Sequence, residues 1–217
     1  MALFIVRVWL PDRPGALGAV ASRIGAVRAD VVGIDILERD GGRVVDELTI
    51  ELEDAALADL LVSEISQVDG VDVEHIRRAH HSFSDRAVES LEVAAGLVAA
   101  TSFDETLERL VSSMPYLFEV DWAAVLHPAD SRVVATAGGP EVPSSEWLAS
   151  FVIGTGSGDG AYAAVEELAR VPLPSLGMQL IVSRAHLTMR EGERQVMASL
   201  AVIADRRCAE FHQALPR

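Results

Sequence analysis

Apolar and polar positions along the chain change rhythm several times, and each change predicts an element. Leu3-Phe4-Ile5-Val6-Arg7-Val8-Trp9-Leu10 is β-branched and aromatic, and reads as a strand buried over most of its surface. Leu17, Val20, Ile24 and Val27 then recur at helical spacing, with alanine between them. The helical pattern stops near Arg28-Ala29-Asp30, and Val31-Val32-Gly33-Ile34-Asp35-Ile36-Leu37 starts a second strand. Asp40-Gly41-Gly42 predicts a hairpin, because these residues tolerate positive φ. Val44 to Leu52 returns antiparallel, with its alternation clearest from Leu48 onward. Asp54 offers an N-cap to a helix with an apolar stripe at Leu57, Leu60, Leu61 and Ile65. Asp69-Gly70 then turns into a short strand, Val71 to Ile76.

The order is βαββαβ. It predicts an α+β chain whose residues 1–78 form a ferredoxin-like split βαβ sandwich. Arg77-Arg78-Ala79-His80-His81-Ser82-Phe83-Ser84 ends the apolar pattern, so residues 79–85 read as a linker ahead of a second domain, 86–217.

The second stretch is less regular. Residues 86–100 read as a helix capped near Asp85, and a further helix starts at Ser102 or Phe103 with Leu107, Leu110, Val111 and Met114 on one face. Trp122 to His127 and Arg132 to Ala137 flank a hairpin turn, and Ser145 to Phe151 reads as a short helix. Residues 161–170 fit helix and strand equally by periodicity. Gly177 to Arg184 is a buried strand, and Thr188-Met189-Arg190-Glu191 reads as a capping box before a helix running to about Ala214.

The chemistry that stands out is the turn Asp12-Arg13-Pro14-Gly15-Ala16-Leu17. Pro14 suits a first helical position, having no N–H to leave unsatisfied. The amides of Gly15, Ala16 and Leu17 then point out of a helix N-terminus, an end that attracts small carboxylates. The same residues also suit an ordinary strand-to-helix turn that binds nothing.

Composition narrows the partners. A formal net charge of −15 argues against nucleic-acid backbones and anionic membrane surfaces. No run approaches the length of a membrane span, and Met1 leads straight into the first strand with no secretory leader pattern, so a cytoplasmic protein is expected. The single cysteine, Cys208, excludes an internal disulfide and reads as a buried, inert thiol.

Three other features resolve to structure. His75, His80 and His81 beside Glu74 match no zinc spacing, and adjacent histidines in an extended segment point apart. The run Gly154 to Gly160 lacks the Gly-Lys-Ser/Thr ending of a phosphate-binding loop and reads as a flexible loop. His127 and His186 are lone histidines with no legible carboxylate or nucleophile partner. No metal or cofactor is expected.

The βαββαβ order, with Asp12-Arg13-Pro14-Gly15 in the first turn and Ala29-Asp30-Val31 before the second strand, resembles the ACT domain family over residues 3–78. The resemblance implies an amino acid or similar small ligand, and pairing of copies through sheet edges or helices. It places the ligand carboxylate on the amides of Gly15, Ala16 and Leu17; Arg13 reads either as a guide for that carboxylate or as an exposed, solvated side chain. Asp12, Asp30 and Val31 fall where the family carries ligand contacts, the two aspartates toward the amino group. Asp30 departs from the asparagine common in the family. The layout of residues 85–214 resembles a GAF domain, with no motif that names a ligand. A non-catalytic sensor acting as a homodimer is the expectation. The alternatives are an interaction module, with Val196, Leu200 and Ile203 of the last helix serving dimerisation, and an enzyme using His127 or His186.

Overall fold

The computed structural model describes residues 1–79, 86–139, 142–154, 167–185 and 187–214. They form two compact units, Met1–Arg86 and Ala87–Arg217. Each holds one antiparallel four-stranded sheet, and six α-helices are present among the described residues.

The first unit runs β1 (Ala2–Pro11), α1 (Ala16–Ala26), β2 (Ala29–Asp40), β3 (Arg43–Leu52), a 3₁₀ turn (Ala55–Leu57), α2 (Ala58–Ile65) and β4 (Asp72–Arg78). The sheet order is β2-β3-β1-β4, the split arrangement that the βαββαβ order predicts. Register fixes its faces. Phe4, Val6, Val8 and Leu10 stand opposite Ile50, Leu48, Asp46 and Val44. The apolar members of this face pack with Val20 and Ile24 of α1 and Leu61 and Ile65 of α2. Side chains alternate across a strand, so the intervening pair Arg7 and Glu47 lies on the other face. There they form a buried ion pair at 2.8 Å. Arg86, the last residue of the unit, makes a second ion pair to Glu47.

Strand β2 begins two residues earlier than its apolar run, at Ala29, and extends to Asp40. Two register shifts bend it, one between Val31 and Gly33 and one between Ile36 and Glu38. It forms one edge of the sheet, with Ile34 and Ile36 exposed along it.

The second unit contains α3 (Arg86–Ala99), which starts on the first unit's last residue, then α4 (Phe103–Phe118), β5 (Trp122–His127) and β6 (Arg132–Gly138). It continues with α5 (Ser145–Gly154), β7 (Leu168–Leu173), β8 (Met178–Ser183) and α6 (Glu191–Ala214). Ser102 caps α4, its Oγ accepting the Glu105 amide at 3.2 Å. The sheet order is β6-β5-β8-β7. Its strands are apolar on both faces because both are covered. Ala123 and Val125 pack with Leu107, Leu110, Met114 and Leu200, whereas Trp122, Ala124 and Leu126 pack with Leu148 and Val152 of α5.

Several expectations are corrected here. Of the stretch 161–170, open between helix and strand, residues 168–170 belong to a strand, Leu168–Leu173, in which Pro172 is tolerated because β7 is an edge strand. Residues 161–166 and the Asp85 cap lie outside the described residues. The capping box is displaced by two positions: Arg194 N bonds to Arg190 O, and the Glu193 carboxylate accepts the Arg190 amide at 2.9 Å. Arg190 therefore occupies the cap position and Glu193, not Glu191, closes it. In α6, Leu200 is buried, and Val196 and Ile203 pack against the core rather than forming a free face.

Candidate functional site

Strand β1 delivers the chain to the turn under tight backbone control. Arg13 N donates to Pro11 O at 2.8 Å, and Asp12 N donates to Gly42 O of the β2–β3 hairpin at 2.9 Å. Gly15 is the N-cap of α1 with φ +89°, a left-handed conformation that an L side chain rarely adopts. Pro14 thus precedes the cap instead of occupying the first helical position. No side chain caps the helix. The three amides expected to face out are reduced by one, because Ala16 N donates to Arg13 O at 3.3 Å. Of the expected set, the amides of Gly15 and Leu17 remain. A Cβ built on Gly15 would meet nothing within 4 Å, so space lies open above the turn.

Asp12 and Arg13 are exposed, Ala16 is buried and Leu17 half-buried. Asp30 and Val31 are elsewhere. Asp30 and Leu3 both pair with Glu51, whereas the turn follows Pro11, which pairs with Arg43. Eight residues of β1 separate those levels, roughly 26 Å at about 3.3 Å per residue. One chain does not bring Asp30 and Val31 to the turn.

A different aspartate lies nearer. Asp46 stands opposite Val8 on the helix-covered face of β3 and is 3% exposed. Its Oδ1 has no hydrogen-bond partner. Burial pushes its carboxyl above the ordinary aspartate range; Arg39 pulls it down and Asp12 pushes it further up. Arg39 also sits 3.9 Å from Asp12, so these three charged groups share the neighbourhood of the turn. A buried acceptor left unfilled costs about 1–3 kcal/mol, so the fold carries Asp46 at a loss. The sequence does signal it. Val44, Asp46, Leu48, Ile50 and Leu52 are the core-facing positions of β3, and a single charge interrupts them.

The second unit's candidates resolve otherwise. His127 is not alone: its Nδ1 lies 2.8 Å from Asp130 Oδ1, and that contact chiefly holds the Asp130 carboxyl below its usual range. The same carboxylate takes the Arg132 amide, so the group ties the β5–β6 hairpin. Arg184 and Glu193 form a two-pronged buried pair at 2.7 and 2.9 Å. Burial pushes the Cys208 thiol up to about 11, and its Sγ lies 3.8 Å from Phe103 O. His75, on β4, stands opposite Arg7 of β1, while His80, His81, His186 and residues 155–160 lie outside the described residues. Among the described residues, no group of three ligating side chains could hold a metal, and no helix is long and apolar enough to cross a membrane.

No protein family matches the chain, and no curated protein matches it. Solved structures resemble it in part. The GAF domain of an Acinetobacter phosphoenolpyruvate-protein phosphotransferase aligns at 14% identity and TM-score 0.47, over 60% of this chain and 98% of that one. Free methionine-R-sulfoxide reductase from Neisseria meningitidis aligns at 15% identity and TM-score 0.46, over 63% and 98%. The C-terminal domain of the MgtC protein from Mycobacterium tuberculosis aligns at 18% identity and TM-score 0.32, over 39% and 95%. Likeness at this level carries no argument about ligand or activity. The functional reading rests on this chain's own residues.

Proposed function

We propose that the chain is a non-catalytic regulatory protein whose ACT-like first unit binds an amino acid or related small carboxylate at the Asp12–Leu17 turn. Its second unit is GAF-like. The observation that carries the reading is the uncapped start of α1. Gly15, in a conformation suited to glycine, leaves backbone donors facing open space within a βαββαβ frame. A carboxylate there gains charge-assisted hydrogen bonds of about 1.5–3 kcal/mol each.

A second copy completes the site. Edge strand β2 exposes Ile34 and Ile36, and an exposed apolar edge favours strand pairing. Antiparallel pairing of two β2 strands about Asp35 sets Ile34 of each copy against Ile36 of the other. The same register sets the partner's Asp30 level with Asp40, which pairs with Arg43 next to Pro11 and the turn. The separation of Asp30 from the turn within one chain is then what a shared site requires.

Thermal melts of the full chain against the twenty amino acids and simple carboxylic acids test this. A ligand at a hundred times its Kd adds about 2.7 kcal/mol, raising Tm by roughly 5 °C or more. Gly15→Val should abolish the shift. Ile34→Lys should yield a monomer by sedimentation and weaken binding. No shift with any of these acids overturns the reading.

A further inference from the structure

We propose that Asp46 is a proton-operated release for the tip of the β2–β3 hairpin: ionised, it lets Leu37–Val45 open, and protonated, it lets the tip close. The device is a property of the free chain and stands whether or not the turn takes a ligand.

The tip is built to give way. Register pairs Ile36 with Asp46 and Glu38 with Val45, so Leu37 is the extra residue of a β-bulge directly across from the buried acid. A bulge interrupts the ladder, and β2 is an edge strand held by β3 alone. Beyond the bulge, Glu38, Arg39 and Asp40 pair with Val45, Val44 and Arg43, and Gly41 and Gly42 close the loop at positive φ. Leu37 opposes opening, because it is buried and would lose that burial.

Asp46 works in the other direction. It stands on the apolar, helix-covered face of β3, and its Oδ1 has no hydrogen-bond partner. Such a group is costly to bury when charged and much less so when neutral. Hydrating it by opening the tip removes that cost. The surrounding charges do not compensate it. Arg39 of β2 attracts the carboxylate and Asp12 of the turn repels it. Arg39 is itself 3.9 Å from Asp12 and largely solvated, and Arg13 is exposed. On β1 the same-face residues Val6, Val8 and Leu10 carry no charge. Helix α1 has none from Ala16 to Ser22. On α2, Glu64 is paired with Arg23 and Asp59 is exposed.

The release reaches the turn through the backbone. The Gly42 carbonyl accepts the Asp12 amide at 2.9 Å, and Arg43 stands opposite Pro11. When the tip opens, that bond is lost and the Asp12–Gly15 segment loses its tie to the hairpin. Asp205 also has an unfilled buried oxygen, but its other oxygen takes the Ser175 amide at 3.1 Å and fixes the β7–β8 hairpin.

Opening returns the carboxyl to its ordinary value near 3.8 from the higher one that burial imposes. Between those values opening releases up to one proton, so it grows with pH by at most about tenfold per unit. Protection is regained as pH falls through the same window.

Amide hydrogen exchange of the full chain between pH 5 and pH 8, corrected for intrinsic rates, tests this. The amides of Leu37–Val45 and of Asp12 should lose protection by at least about threefold as pH rises, while those pairing β1 with β4 should not. Asp46→Asn, nearly identical in shape and unable to ionise, should hold the protection constant. Asp46→Leu repeats the measurement if the asparagine variant fails to fold. Constant protection in the wild type overturns the proposal. A pH-dependent loss that persists in the Asp46 variant, or one spread evenly over the sheet, overturns it equally.

Discussion

Glu193 in the second unit and Asp46 in the first are carboxylates buried to a similar degree, 1% and 3% exposed, in opposite surroundings. Glu193 accepts both prongs of Arg184 and the Arg190 amide, so its charge is paired and both its oxygens are bonded at the start of α6. Arg184 in turn reaches the carbonyls of Phe118, Leu187 and Thr188. Asp46 has an oxygen with nothing bound to it and a second carboxylate nearby. Burial alone therefore says little about what a charged residue is for. A buried acid whose bonds are made stabilises the scaffold, and one left incomplete costs the fold stability.

The comparison can be broken first at its saturated end. Arg184→Leu removes every partner that the guanidinium supplies and strands Glu193 in the core. Breaking such a pair costs about 3–5 kcal/mol, so urea unfolding should show a much lower midpoint for the second unit. The Arg7–Glu47 pair is the intermediate case. Glu47→Gln deprives both Arg7 and Arg86 of their anion, while Glu74 stays 4.0 Å from Arg7 as a partial substitute. A loss of roughly 2–3 kcal/mol is expected by the same measurement.

Asp46→Asn should go the other way. The folded protein holds this carboxyl above its unfolded pKa, so the stability penalty is fully present above the folded pKa. It disappears as pH falls through that value toward the unfolded one, near 3.8. The asparagine variant should accordingly melt up to a few degrees higher than wild type at pH 7, with the difference closing as the pH is lowered toward 4. A variant less stable than wild type at pH 7 would mean that Asp46 is satisfied in the free protein. The smallest effect belongs to Cys208. With its thiol raised to about 11 by burial, alkylation at pH 8 should be negligible in the folded chain and rapid in urea.

The first unit was legible because its periodicities are clean and its turn residues are diagnostic. Asp40-Gly41-Gly42 and Asp12 to Gly15 each sit where the chain reverses. In the second unit β7 stays open between helix and strand because the strand is short and periodicity alone does not separate the two. The capping motif misleads because Thr188 to Glu191 has the right residue types, while the true partner of the cap is Glu193, held by the buried Arg184 just past β8. His127 looks alone in the sequence because its partner, Asp130, is a turn residue three positions on, an arrangement that a hairpin creates and a linear pattern does not display. Asp46 was missed for a related reason. One acid in a strand reads as a solvent-facing position until register shows which side it faces.

Pro172 has a consequence at the scale of many molecules. An edge strand offers backbone donors and acceptors to any passing extended segment, and a proline deletes one donor from that row. The sheet of the second unit is thereby discouraged from growing beyond β7. Strand β2 of the first unit is twelve residues long, lies at an edge and contains no proline. At high concentration, strand addition between molecules should begin at a proline-free edge such as β2 rather than at β7.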